Sequence, residues 1–374
     1  MTQTLYKTPA QRLTSRDFVA ACTPDRLAYL LLNVGDGDSQ VVLLPDDGRG
    51  RQLVVVDVKD FRKVDGVIEE LAKAGLVSKR PDLIALVVAT HPHADHIAGM
   101  GRFLNTYADF VDEVWEPAFY YPGAAYRGMM GAIETHGLRH GQPTSGMTRW
   151  LGHVKLMALS PGINLRNRFD TYGVDVNNSS IALRLEFPGR VVSQRQPDGS
   201  YVRAARQSLI LGGDAQTLSW SQVLIDFPQL GPDQSIVSRA LSKAQGFEPL
   251  NSDVFKVPHH ASKHGLNLEL VEQIKPSLSL ISSVGGGGKY NFPHLVALES
   301  LREGIQATAQ SGQPHRPDYE LGIHYTFGTD DASPPAPLGS IAVVMSPGGR
   351  TRELWRFGDA EDAAIDLTTA RLYA

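Results

Sequence analysis

Cysteine is almost absent, with Cys22 alone among 374 residues. An intrachain disulfide framework and a thiolate metal cluster are thereby excluded, so oxygen and nitrogen donors must hold any metal. Net charge is small: 36 Lys and Arg stand against 40 Asp and Glu, giving −4. That argues against a nucleic-acid binder relying on overall positive charge and leaves a local basic groove open. No apolar run approaches the ~20 residues that cross a bilayer. The opening Met1-Thr2-Gln3-Thr4-Leu5-Tyr6-Lys7-Thr8 lacks an apolar secretion core, which makes a cytoplasmic location the expectation, short of a targeting segment already lost. Solenoid-type repeats are also missing. Hydrophobic residues make up 42% of the chain, enough for one large core or two smaller ones.

What is present is histidine gathered in one place. The chain has 12, and three fall in Thr90-His91-Pro92-His93-Ala94-Asp95-His96, directly after the apolar stretch Leu83 to Ala89. Three imidazoles and a carboxylate on one loop at the end of one strand can present two sets of metal ligands, which points to a metal-dependent hydrolase. The competing interpretation is a solvated polar loop rich in histidine.

Short strands are predicted at Arg26–Asn33, Gln40–Leu44 and Leu53–Asp57, separated by Gly- and Asp-rich turns. Lys63 to Ala74 predicts a helix, because Val64, Val67, Ile68, Leu71 and Ala74 recur at helical spacing and Gly75 supplies a stop. Ile97 to Tyr107 predicts another, followed by a strand at Val111–Trp115. Residues 116–148 lack sustained periodicity and are expected to form a loop or partly helical excursion over the strand ends. Their aromatics fit either substrate contact or a small satellite core. Further strands are expected at 153–159, 180–187, 208–211, 254–257, 278–283 and 340–345. Gly285-Gly286-Gly287-Gly288 and Gln310 to Asp318 are flexible by composition, and Pro334-Pro335-Ala336-Pro337 is a stiff connector. Strands and helices in series indicate a mixed layered α/β fold.

The ends of the later strands extend the metal hypothesis. Leu209-Ile210-Leu211 runs into Gly212-Gly213-Asp214, and Val254 to Val257 runs into Pro258-His259-His260-Ala261-Ser262-Lys263-His264-Gly265. Taken alone, an aspartate after a strand is an ordinary turn or cap residue. Three apolar strands each emerging into metal-ligand residue types are what a two-metal centre requires.

At this point the chain resembles the metallo-beta-lactamase fold superfamily, through a His-x-His-x-Asp-His element at 91–96, an aspartate at 214 and a late histidine at 259–260. The likeness spans about residues 25–285 and is strongest to the branch of the ComEC competence-protein hydrolase domain. Leu32-Asn33-Val34-Gly35-Asp36-Gly37-Asp38-Ser39, Asn177-Asn178-Ser179-Ser180 and His259-His260-Ala261-Ser262 look like that branch's signatures, with Ala261 where it has glycine. That departure matters only if the backbone there needs positive φ. The resemblance implies a four-layer alpha-beta/beta-alpha sandwich with the centre at the edge of two sheets. The domain would occupy 25–350, with insertions around 116–150 and 285–338, an N-terminal extension at 1–24 and a C-terminal tail at 351–374.

The resemblance also implies site roles. His91 and His93 would bind a first ion; Asp95, His96 and one of His259 or His260 a second; Asp214 would bridge them. Many members add a histidine to the first ion from between the first motif and the bridging aspartate. Here Asn177 and Asn178 occupy that stretch, so either the set is open, which is the preferred expectation, or His136, His140 or His153 reaches in. The nitrogen-rich donors favour two zinc ions, with manganese an alternative. Asp57 would orient one imidazole from behind or serve as a turn residue. Lys263 and His264 would supply charge or a proton beside a leaving group, and Ser262 a hydrogen bond to a phosphate oxygen. Asp38 and Ser39 would shape the early turn. Asp95 and Asp214 would be catalytic through the ions, which would supply the hydroxide nucleophile. The branch favours a phosphodiester or phosphate ester as substrate, nucleic acid or a nucleotide included. Lactone, thioester or beta-lactam hydrolysis, and a noncatalytic metal sensor or scaffold, are the alternatives. A nucleic-acid track would want basic and aromatic side chains together, as at Arg127 with Tyr120, Tyr121 and Tyr126, or Arg203 and Arg206 with Tyr201. No membrane partner is expected, and oligomeric state is open.

Overall fold

The computed structural model describes residues 6–166, 175–189, 193–195, 201–203, 206–226, 250–306, 316–349 and 351–374. Two sheets organise it. The first has ten strands, in the order Leu13–Ser15, Arg371–Tyr373, Arg352–Arg356, Ile341–Met345, Leu27–Leu31, Ser39–Leu43, Leu53–Val58, Ile84–Val88, Glu113–Trp115 and Arg139–Gly141. It is antiparallel as far as Leu53–Val58 and parallel beyond. The second has seven: Ile323–Tyr325, Leu278–Ile281, Val254–Lys256, Gln207–Leu211, Leu183–Phe187, Val154–Ala158 and Thr148–Leu151.

The strand pattern explains the layering. Along Leu53–Val58 alternate side chains face opposite ways, a consequence of the period of two. Leu53 and Val55 join a core beneath the helices Phe61–Lys73, Met100–Tyr107 and Ala124–His136, while Val54 and Val56 join the core between the sheets. A third core lies beneath Thr217–Asp226, Leu268–Ile274 and Leu295–Gln306 on the far face of the second sheet. Both faces of the central strands are buried, so they read as continuous apolar runs. The result is the four-layer αβ/βα sandwich.

Three local expectations take definite form. Residues 116–148 follow the partly helical alternative, with the 13-residue helix Ala124–His136. Its Tyr126, Met129, Ala132 and Ile133 enter the core of the first sheet's helices, and Tyr121 packs against it. Gly101 and Gly128 permit the close crossing with Met100–Tyr107: a Cβ at 101 would stand 2.9 Å from the Gly128 carbonyl carbon. The helix expected over 97–107 is split into Ala94–Ile97 and Met100–Tyr107. A Cβ at Gly99, between them, would meet the Phe61 nitrogen at 2.6 Å. Finally, segments of both the expected N-terminal extension and the expected C-terminal tail contribute strands to the first sheet. Leu13–Ser15 and Arg352–Arg356 flank Arg371–Tyr373, and Phe18, Ile365, Leu367 and Ala370 are buried. Of the segment expected to be flexible, 310–315 lies outside the described residues. Among the described residues no helix is long and apolar enough to cross a membrane.

Candidate metal centre

The parallel strands Leu53–Val58 and Ile84–Val88 deliver Asp57 and the histidine loop side by side. Asp57 is wholly buried with φ +56. Its carboxylate accepts hydrogen bonds from the Thr90 amide at 2.8 Å and the Thr90 hydroxyl at 2.7 Å. Its Oδ2 stands 2.7 Å from His96 Nδ1. Held there through Nδ1, the His96 ring turns its Nε2 to the opposite side.

That opposite side belongs to Asp214. The second sheet's parallel strands Gln207–Leu211 and Val254–Lys256 end in Gly212-Gly213-Asp214 and Pro258-His259-His260. The glycines permit the approach of these loops: a Cβ at 212 would meet Pro258 Cβ at 2.8 Å, and Gly213 sits at φ +51 beside Thr90. Ser180 Oγ accepts from the Asp214 amide at 3.3 Å.

Asp214 is the hub. Its Oδ1 lies 3.1 Å from His96 Nε2 and 3.7 Å from His260 Nε2. Its Oδ2 lies 3.7 Å from His91 Nε2 and 3.6 Å from His259 Nε2. His93 Nδ1 stands 3.0 Å from His91 Nε2, and Asp95 Oδ2 4.0 Å from His260 Nε2. Atoms bound ~2.1 Å from one tetrahedral ion stand roughly 3.4 Å from each other. His91, His96 and Asp214, and likewise Asp95, His96 and His260, bring candidate ligand atoms within 4.8 Å of one another. His96 Nε2, His260 Nε2 and Asp214 Oδ1 are buried without a hydrogen-bond partner. Converging orphaned donor atoms of this kind fit a divalent cation.

The electrostatics agree. Burial would lower His96, yet the Asp214 and Asp57 carboxylates hold it well above the ordinary imidazole range. Burial would raise Asp214, but His96, His259 and His260 hold it well below the carboxylate range. Burial pulls His91 well down, and it also lowers His93 and His259. Negative charge on Asp214 is thus favoured by the imidazoles around it, and a cation bound among them would be favoured by the same charge.

Other expected residues divide. Asn178 Oδ1 accepts from the Ser219 amide and hydroxyl at 3.2 and 3.0 Å, tying down the helix that follows Asp214. Asn177 is buried and its Oδ1 has no partner. Ser262 Oγ accepts from the His264 amide at 3.3 Å and is 1% exposed, so it serves the turn. Lys263 and His264 are exposed, and neither forms an ion pair with Asp95 or Asp214 among the described residues. Of the upstream histidines, His136 contacts Asn105 Oδ1 at 2.9 Å and His140 contacts Glu116 Oε1 at 3.2 Å, both away from the cluster. His153 is exposed at a turn. Ala261 has φ +61, so the backbone there does adopt the conformation that glycine favours.

Sequence reasoning missed the support beneath the late histidines. Asp38 and Lys256, both wholly buried, form an ion pair. His260 Nδ1 donates to the Ser282 carbonyl at 3.0 Å, and Ser282 Oγ donates to the Gly37 carbonyl at 2.6 Å. The Asp38 amide donates to the Asp95 carbonyl at 3.1 Å. A lysine inside the apolar strand Val254-Phe255-Lys256-Val257 was the available signal, since such a lysine needs a buried partner.

Beside His93, whose ring meets Tyr121 edge-on at 5.6 Å, an open groove of about 830 Å³ is lined by Pro92, Ala94, Arg102, Asn105, Tyr121 and Gly128. Of the basic-aromatic groups, Tyr126 is in the core and Tyr120 is exposed. The side chains of 201–203 lie outside the described residues.

A layered sandwich whose sheet edges converge on histidines and aspartates defines a metallo-beta-lactamase-type fold with a candidate metal centre. No protein-family model matches the chain. It is 28% identical over 158 residues to Recombination protein 2 of Haemophilus influenzae, covering 41% of this chain and 17% of that protein. It is 22% identical over 339 residues to ComE operon protein 3 of Bacillus subtilis, covering 87% of this chain and 36% of that one. The chain thus spans well under half the length of these curated relatives. Among solved structures, the metallo-beta-lactamase fold protein YhfI from Bacillus subtilis aligns at 12% identity and a TM-score of 0.40, covering 80% of this chain and 96% of its own.

Proposed function

We propose that this chain is a metal-dependent hydrolase of the metallo-beta-lactamase superfamily, of the ComEC-like branch, acting on a phosphodiester or phosphate ester at a centre of two divalent ions. The carrying observation is the Asp214 carboxylate, with His96 and His260 Nε2 facing one oxygen and His91 Nε2 facing the other at 3.1–3.7 Å. The branch rests on the motifs at 32–39, 177–180 and 259–262 and on the similarity to ComE operon protein 3 along 87% of the chain.

His91, His93 and Asp214 would hold one ion, and Asp95, His96, His260 and Asp214 the other. Mostly imidazole donors favour zinc, with manganese the alternative. Bound there, such ions lower the pKa of water toward neutrality and polarise a phosphoryl or carbonyl oxygen. The protein's own contribution is orientation. Asp57 and Thr90 fix the His96 ring, the Ser282 carbonyl fixes His260, and Lys256 balances Asp38 below them. Tyr121 borders the entrance at His93, and Arg102 in the adjoining groove offers a cation to a phosphate.

The test is hydrolysis by zinc- or manganese-loaded protein and its Asp214→Ala variant on a phosphodiester, single- and double-stranded DNA, RNA, a lactone, a thioester and a beta-lactam. Metal-dependent phosphodiester cleavage, reduced at least about 100-fold in the variant, is expected. Turnover confined to carbonyl substrates would reassign the substrate. Tight metal binding with no turnover anywhere would leave a sensor or scaffold.

A further inference from the structure

His136 and His140 have partners away from His91 and His93, but the late loop brings two neighbouring histidines to the same carboxylate. His259, His260 and Ala261 take consecutive left-handed conformations, with φ of +50, +53 and +61. Adjacent side chains on a strand point to opposite faces, which would leave only one of two neighbouring histidines at a site. A left-handed turn of helical pitch instead rotates neighbours by about 100°. The two rings accordingly stand 6.4 Å apart and 75° to one another, with Phe292 packed against both. They approach different oxygens of the same carboxylate. His260 Nε2 shares Asp214 Oδ1 with His96 and lies next to Asp95. His259 Nε2 shares Oδ2 with His91, whose own Nε2 is beside His93.

Resting on the two-ion reading above, we infer that the tandem histidines are divided between the ions: His260 completes the Asp95–His96 set, and His259 completes the His91–His93 set. The two differ in support. His260 is wholly buried with its Nδ1 proton anchored on the Ser282 carbonyl, whereas His259 Nδ1 is buried without a partner. Lacking an anchored tautomer, His259 makes the first set the weaker and more readily exchanged of the two. Non-glycine residues enter left-handed conformations at a cost, and persist there where the surrounding structure requires them.

The experiment measures metal stoichiometry and affinity on the full chain, stripped and reloaded with zinc or cobalt, for the wild type and for His91→Asn, His259→Asn and His260→Asn. Asparagine tolerates left-handed backbone, so the loop is retained. The expected result is two ions in the wild type and one in each single variant. His259→Asn should weaken one ion at least about 100-fold, beyond the roughly 10–100-fold effect of losing an outer partner. Adding His91→Asn should remove no further ion, whereas combining His259→Asn with His260→Asn should remove both. Histidine ¹⁵N spectra of the zinc-loaded wild type need no variant to fold and should show His259 Nε2 metal-bound. Two ions held by His259→Asn with wild-type affinity, or an unbound His259 nitrogen, would overturn the division and leave the two-ion reading standing. A wild type holding fewer than two ions would overturn both.

Discussion

Asp57 Oδ2 and His96 Nδ1 stand 2.7 Å apart with both side chains wholly buried, so the orientation of a central candidate ligand is set by a strand outside the two proposed ion sets. Asp57→Asn keeps the size and the tolerance of φ +56 but removes the charged acceptor. Metal affinity should fall about 10–100-fold with the fold retained, as competition against a chromophoric chelator would show. Unchanged affinity would assign Asp57 to the turn alone.

Lys256→Met leaves the Asp38 carboxylate buried and uncompensated. Urea unfolding should show a loss of about 3–5 kcal/mol, and Lys256→Met with Asp38→Leu should recover most of it, because a buried pair replaced by apolar groups is often neutral. A double variant as unstable as the single one would mean that Asp38 has a further indispensable role.

At position 261 the constraint is φ +61 in a fully buried setting. Ala261→Gly exchanges relief of backbone strain for a lost methyl contact and should stay within about 1 kcal/mol of wild type. Ala261→Val should lose about 2 kcal/mol or more, since a β-branched residue is strongly disfavoured there. Equal stabilities in denaturant titrations would contradict the left-handed turn.

His324 is buried edge-on to Tyr373 at 5.0 Å, and burial, aided by Arg356, pulls its pKa down to about 3. The unfolded chain protonates this imidazole below ~6.5, while the folded chain does so only near 3. Stability is therefore intact above the unfolded value and declines as pH falls through the interval, by up to about 1.4 kcal/mol per pH unit. His324→Gln should show a shallower acid dependence of Tm between pH 6.5 and 4.5. Parallel curves would exclude His324 as a source of the slope.

Much of this was legible in the sequence for identifiable reasons. Leu53–Val58, Ile84–Val88 and Ile341–Met345 are buried on both faces and read as apolar runs. The candidate ligands stood out because they cluster directly after such runs. The helix Ala124–His136 was hidden because Gly128, Gly131 and Ala132 dilute its apolar stripe, and close contact with Gly101 explains Gly128. The Asp38–Lys256 pair joins residues 218 positions apart, which local pattern cannot connect. The left-handed turn at 259–261 had one signal, Ala261 standing where the similar branch has glycine, and alanine itself hides the positive φ.

The pairing of Leu13–Ser15 with Arg371–Tyr373 joins an early and a late strand at one edge of the first sheet, and the Ala374 amide donates to the Arg12 carbonyl at 2.9 Å. Six ladder steps of about 4.8 Å separate that edge from the strand carrying Asp57. Changes at that edge, or a short insertion at the exposed turn Gly48–Arg49, should therefore leave the histidine and aspartate loops in their places.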